Sequence, residues 1–210
     1  MASTTATSRK TRYMVQLALL IAIQVILTAT PLGFIQISPA LSITLMHLPV
    51  LVGAVSMGPM AGGILGGVFG LSSMIVASTR PGLLDALFFS PFYSGAPLQS
   101  IILCMVPRIL FGLLAAWLFR LLVKVTGKRE RLSAGIAAGV ATLFHSVSVL
   151  GLVYIMFGPK YAEAYGISYG ALLGAMGVVI GTNGLLEAAA AILVCVALVK
   201  PLRIVQQGKA

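Results

Sequence analysis

Cys104-Met105-Val106-Pro107-Arg108-Ile109-Leu110-Phe111-Gly112 places an arginine inside an apolar run covering residues 99–123, where Arg108 is the only charge before Arg120. A charge in bilayer hydrocarbon costs ~2.5–3.5 kcal/mol on insertion scales. Such a residue faces a bundle interior or a wet cavity, and it has a partner. Pro107 lacks an N–H and crowds the carbonyl one turn back, so a kink is expected just outside Arg108. A kinked helix with a buried cation points to a pocket for something anionic or strongly polar. The plainer reading is an ion pair that only holds helices together.

The surrounding chain agrees with a membrane setting. Its 210 residues are 59% hydrophobic and 9% charged, with mean hydropathy +1.07; a soluble domain has about 25% charged residues. This is the composition of an all-α membrane protein forming one bundle, with no room for a second domain. The net charge of +10 sits at helix ends without aromatic interleaving. It reads as an orientation signal and not as a nucleic-acid surface. Cys104 and Cys195 each lie inside an apolar run and read as buried thiols, with no disulfide and no metal-ligand spacing.

In chain order, residues 1–12 read as a disordered cytoplasmic tail and 13–30 as the first span. That span also resembles a signal peptide, but Thr28-Ala29-Thr30 is a poor cleavage site. Residues 31–45 hold Pro31, Gly33 and Pro39 and read as an outer loop dipping toward the bundle. Residues 46–57 and 60–78 are two further helices split by Gly58-Pro59. Gly58, Gly62, Gly66 and Gly70 are four apart, which lets another helix backbone approach closely on that face. Residues 79–98 form an outer loop whose Leu87, Phe88, Phe89, Phe92 and Tyr93 suit either a lid over the bundle or an interfacial aromatic belt. The remaining spans are 99–123, 134–157 and 168–199, the last with an irregular start. Residues 158–167 form a third outer loop and 200–210 a cytoplasmic tail.

With the N-terminus inside, 11 Lys and Arg fall on inner segments and 2, Arg80 and Lys160, on outer loops. The positive-inside rule then gives six helices, residues 13–199, with both termini cytoplasmic. In that topology Arg108 lies ~14 Å below the outer end of its helix. His145, Asn183 and Glu187 reach similar depths, and Asn183 and Glu187 share a face. His47 sits at the rim. Two arrangements stay open: Arg108 and Glu187 as a structural pair, or Arg108, His145, Asn183 and Glu187 lining a site for a small polar molecule. Each histidine alone also reads as a helix–helix contact.

Catalytic patterns are missing. Gly127-Lys128-Arg129 fails as a phosphate loop at the hydroxyl position, and no His-Glu-x-x-His pair occurs. Ser72 and Ser73 stand in no nucleophile motif. No repeat between the halves marks a secondary transporter. The chain reads as no enzyme, with no cofactor and no metal.

Local motifs add a resemblance. Ala18-Leu19-Leu20-Ile21-Ala22 is similar to an Ala-x-x-x-Ala docking motif, and Ile43-Thr44-Leu45-Met46-His47-Leu48-Pro49-Val50, Met57-Gly58-Pro59-Met60-Ala61-Gly62, Phe89-Ser90-Pro91-Phe92 and Val106-Pro107-Arg108-Ile109-Leu110 accompany it. Over residues 13–200 the chain resembles the substrate-binding (S) components of energy-coupling factor (ECF) vitamin transporters, in the subgroup that includes pantothenate-type members. The resemblance implies high-affinity binding of a vitamin at the outer side. It also implies docking on a transmembrane coupling subunit served by two separate ATPases, toppling in the bilayer, and release inside. Ala18 and Ala22 would be the docking face. Pantothenate suits the residues: Arg108 for the carboxylate, Asn183 and His145 for the amide and hydroxyls, and Phe92 or Tyr93 over the gem-dimethyl group. Riboflavin, cobalamin, a pyrimidine or a pyridoxine-type vitamin is the alternative ligand. A membrane scaffold or intramembrane enzyme is the alternative class.

Overall fold

Uninterrupted apolar runs form helices here because a helix satisfies every backbone group internally, which a bilayer demands. The computed structural model describes residues 2–38, 41–80 and 86–207. Its long helices are α1 (Ala2–Ala29), α3 (Pro59–Thr79), α5 (Pro97–Val125) and α6 (Glu130–Ala164). Between them lie the short α2 (His47–Met57) and the one-turn α4 (Ala86–Phe89). The last crossing is composite: a 3₁₀ turn at Tyr169–Ala171, α7 (Leu172–Val179), a π-helical turn at Ile180–Gly184, and α8 (Leu185–Gln207). Five segments are long and apolar enough to cross a membrane: Arg9–Ala29, Pro59–Thr79, Pro97–Val125, Glu130–Ala164 and Tyr169–Val205.

Several expectations change. Residues 2–12, expected to lack regular structure, continue α1, and most of the C-terminal tail continues α8 to Gln207. Residues 31–45 are more than a loop. After a 3₁₀ turn at Pro31–Gly33, β1 (Phe34–Ser38) and β2 (Leu41–Thr44) pair antiparallel, with Phe34 opposite Thr44 and Ile35 opposite Ile43. Both strands alternate apolar and polar residues, the period of a half-buried strand. Most of the expected third outer loop is the end of α6, which runs through Pro159 to Ala164. α5 carries Pro107 inside its Pro97–Val125 span, the position of the expected kink.

At 11 residues, α2 is ~16 Å long, too short to cross ~30 Å of hydrocarbon alone. Its residues from Pro49 to Ser56 are all buried, so it is wrapped by the other helices on every side. The glycine ladder does what its spacing predicts, but inside the bundle. Gly62 stands against the carbonyl of Gly112, Gly66 against that of Arg108 and Gly70 against that of Cys104. Glycines four apart on α3 thus meet carbonyls four apart on antiparallel α5. The ladder therefore fixes α5 against α3 and is not a free docking face.

Two apolar clusters result. One joins Met46, Leu51, Phe69, Phe111 and the alanines 115, 137 and 191; the other joins Phe88, Leu103, Val153, Phe157, Leu172 and Met176. α1 is attached differently. The fully buried Gln24 donates from Nε2 to the carbonyls of Leu65 (3.2 Å) and Met46 (3.4 Å), and Thr28 donates to Ser72 Oγ (2.8 Å). Ala18 and Ala22 face outward with Val15, Leu19, Val25 and Ile26.

Candidate functional site

A cavity of about 600 Å³ lies between the two clusters, touching Phe69 of the first and Phe88 and Val153 of the second. That volume is typical of a small-molecule site. Four polar residues singled out from the sequence line it together: Arg108, His145, Asn183 and Glu187.

Arg108 is only 5% exposed. Pro107 cannot donate to the carbonyl of Leu103 one turn back, and Arg108 Nη1 donates to that carbonyl instead. The guanidinium lies 5.1 Å from the Phe89 ring centre and 5.5 Å from that of Phe69. Two aromatic faces thus flank a buried cation, a cation–π arrangement that gains strength when desolvated.

His145 is wedged between aromatic rings, 5.0 Å from Phe111 and 5.5 Å from Phe69. The Pro107 carbonyl lies beside it. Its Nδ1 is buried with no hydrogen-bond partner among the described residues.

Asn183 is carried by the π turn, and Glu187 follows in the first turn of α8. A π turn holds an extra residue and is common at functional sites. Glu187 Oε1 accepts the backbone N–H of Thr44 at 2.7 Å, which ties the β1–β2 hairpin to α8. Among the described residues the recorded ion pair is Arg203–Glu130 at 2.6 Å, so Arg108 and Glu187 are not in ion-pair contact.

Three sequence-based candidates fall outside the cavity lining. His47 is buried at the head of α2, with Nε2 3.3 Å from the Glu187 carbonyl, so it stands behind Glu187 and away from the rim. Phe92 and Tyr93 are 80% and 48% exposed and turn away. The reason is local. Ser90 bonds Ser78 (Oγ to Oγ, 2.9 Å), and Lys160 Nζ donates to the Ser94 carbonyl (2.7 Å). These part-buried anchors hold both ends of the turn and leave the two rings between them on the outside. Phe88 and Phe89 point inward in their place, held by Ser100 Oγ donating to the Phe88 carbonyl (2.6 Å) and Cys104 Sγ to that of Phe89 (3.3 Å).

Tyr161 and Tyr165 complete the aromatic side of the lining, their rings stacked 4.3 Å apart. Spacing of four on a helix marks them as neighbours, a signal hidden by reading their segment as a loop. Phe34, Ile35 and Thr44 bring the hairpin to the cavity. The lining thus combines a guanidinium, a carboxylate, an amide and an imidazole with apolar and aromatic walls. It suits a small polar ligand that carries an anionic group and an apolar body.

Comparisons with known proteins bear on the family of the whole chain. Residues 12–199 match the family described as "ECF transporter, substrate-specific component". The chain is 33% identical, over 195 residues, to the pantothenic acid transporter PanT of Lactococcus lactis subsp. cremoris, covering 89% of this chain and 91% of that one. It is 28% identical, over 186 residues, to the pantothenate transporter PanT of Leuconostoc mesenteroides subsp. mesenteroides, covering 86% of each. Buried polar groups around one cavity, helices fit for a bilayer and a family match spanning the bundle converge: the chain belongs to the substrate-specific components of ECF transporters, multi-pass proteins of the bacterial cell membrane that bind a substrate for import and are not enzymes.

Proposed function

We propose that this chain captures pantothenate in the 600 Å³ cavity and delivers it across the membrane by docking on a coupling subunit driven by two ATPases. The observation that carries the ligand assignment is Arg108, buried between Phe69 and Phe89 on the lining of a cavity that also presents Asn183, Glu187 and His145. A guanidinium pairs bidentately with a carboxylate, and pantothenate has one. Its amide and hydroxyls suit Asn183, His145 and Glu187. Its gem-dimethyl group suits the aromatic side formed by Phe88, Phe89, Tyr161 and Tyr165. The relatives named as pantothenate transporters support the same ligand.

In the membrane the chain crosses six times. Basic residues concentrate near both ends, which asks for an even number of crossings. α2, together with the hairpin before it, adds the crossing that the five long segments leave over. Both termini are then cytoplasmic and the cavity opens outward, under a lid formed by residues 86–98; residues 81–85 of the expected loop lie outside the described residues. Docking uses Ala18 and Ala22, whose outward face lets a partner helix approach.

The test is titration of detergent-purified, ligand-stripped protein with a vitamin panel by calorimetry or by fluorescence of Trp117. Tight binding of pantothenate, reduced about 100-fold or more in Arg108→Ala, is expected from the loss of two charge-assisted hydrogen bonds. Tight binding of another vitamin would refute the ligand. For docking, Ala18→Leu with Ala22→Leu should abolish uptake in cells while the purified protein still binds; uptake that persists would refute the docking face.

A further inference from the structure

We infer that Pro107 is a positioning residue: by leaving the Leu103 carbonyl without a helical donor, it creates the acceptor that anchors the Arg108 guanidinium at the cavity. This rests on the proposed role of Arg108 as the carboxylate-binding group. In a regular helix the carbonyl of residue 103 accepts from the N–H of residue 107. Pro107 has none. A buried carbonyl left so would be costly, yet here Arg108 Nη1 donates to it.

The same anchor sets the orientation of the arginine. Arginine has five N–H donors in a fixed fork. One donor spent on Leu103 fixes the plane of the fork, and the remaining donors keep the orientation that this sets. A long side chain otherwise loses rotamer freedom on binding, which lowers affinity. Here the anchor and the two flanking rings take up that freedom before a ligand arrives. The backbone of Arg108 is fixed as well, because its own carbonyl packs on Gly66. Both ends of the residue are therefore set before a ligand arrives, the guanidinium by the Leu103 carbonyl and the backbone by Gly66.

Pro107→Ala tests this. Alanine restores the N–H, which competes with the guanidinium for the Leu103 carbonyl and so loosens this anchor. The variant should fold at least as well as the parent, since an interior proline is the poorest helix residue. Its affinity for pantothenate should fall about tenfold, equivalent to ~1.4 kcal/mol. Its affinity for the alcohol analogue of pantothenate, in which CH₂OH replaces the carboxylate, should stay within about twofold. Arg108→Ala, run in parallel, should erase the preference for the acid over the alcohol. If Arg108→Ala keeps that preference, the carboxylate assignment itself fails. If Arg108→Ala erases it but Pro107→Ala lowers both affinities equally, Pro107 only shapes the helix and the inference is overturned. It is equally overturned if Pro107→Ala lowers neither.

Discussion

Replacing Gly66 with alanine probes how the bundle transmits packing to the cavity. A Cβ at Gly66 would meet the Arg108 carbonyl oxygen, with the carbonyl carbon at 2.8 Å and the Cα of Ile109 at 3.0 Å. All three are backbone atoms of α5, so no rotamer change relieves the contact. Carbon atoms pack at ~3.5–4.0 Å, so α5 must retreat from α3 by roughly 0.5–1 Å at the residue that carries the guanidinium. Overpacking of this kind costs ~1–3 kcal/mol of stability. A displacement near 1 Å at a binding constellation loosens it measurably, and we expect pantothenate affinity to fall about 10–100-fold. Gly67→Ala is the internal control: its Cβ would meet only the flexible end of Met105, at 4.0 Å. There alanine should be neutral or stabilising by up to ~1 kcal/mol through helix propensity. Calorimetric titration and thermal unfolding of the two variants, side by side in one detergent, decide the matter. Equal affinities and equal unfolding temperatures would refute the claim that the α3–α5 contact sets the position of Arg108.

Other outcomes follow from the same contacts. Glu187→Ala removes the acceptor of the Thr44 N–H. With ~1.5–3 kcal/mol for a hydrogen bond to a charged group, exchange of that amide should speed up about 10–150-fold, and unchanged exchange would show that the hairpin is held by something else. Phe89→Ala takes one aromatic face from Arg108; a loss of ~0.5–2 kcal/mol should weaken pantothenate about 2–30-fold. Phe92→Ala, on an exposed ring, should leave affinity within about twofold, and a larger drop there than at residue 89 would return the outer ring to the site.

Much of the candidate site was legible because a membrane makes polar residues conspicuous. Arg108, His145, Asn183 and Glu187 stood out against apolar runs, and hydrocarbon leaves such groups only the interior to face. The glycine ladder was legible for a similar reason, since spacing of four names a face without naming its partner. The partner, α5, emerged only from three-dimensional packing. Aromatic residues gave a weaker signal. Phe88, Phe89, Phe92 and Tyr93 are alike in composition, and which pair turns inward depends on the Ser78–Ser90 and Lys160–Ser94 contacts across the fold. The hairpin carried its period-2 alternation openly, but Pro31, Gly33 and Pro39 drew the reading toward a loop. Gln24 was passed over as one amide in an apolar run, although it is what ties α1 to its neighbours.

The π turn at residues 180–184 also bears on sequence change over time. Its i→i+5 bonding takes in one more residue than an α-helical turn, without breaking the rod. Deleting one residue there would restore the regular period and swing everything downstream by about 100° around the axis. Asn183 and Glu187 would then no longer share the cavity, and Thr44 would lose its acceptor. Length in this one turn therefore acts as a rotary setting for the lower half of the helix, and a change of chain length by one would move two lining residues together.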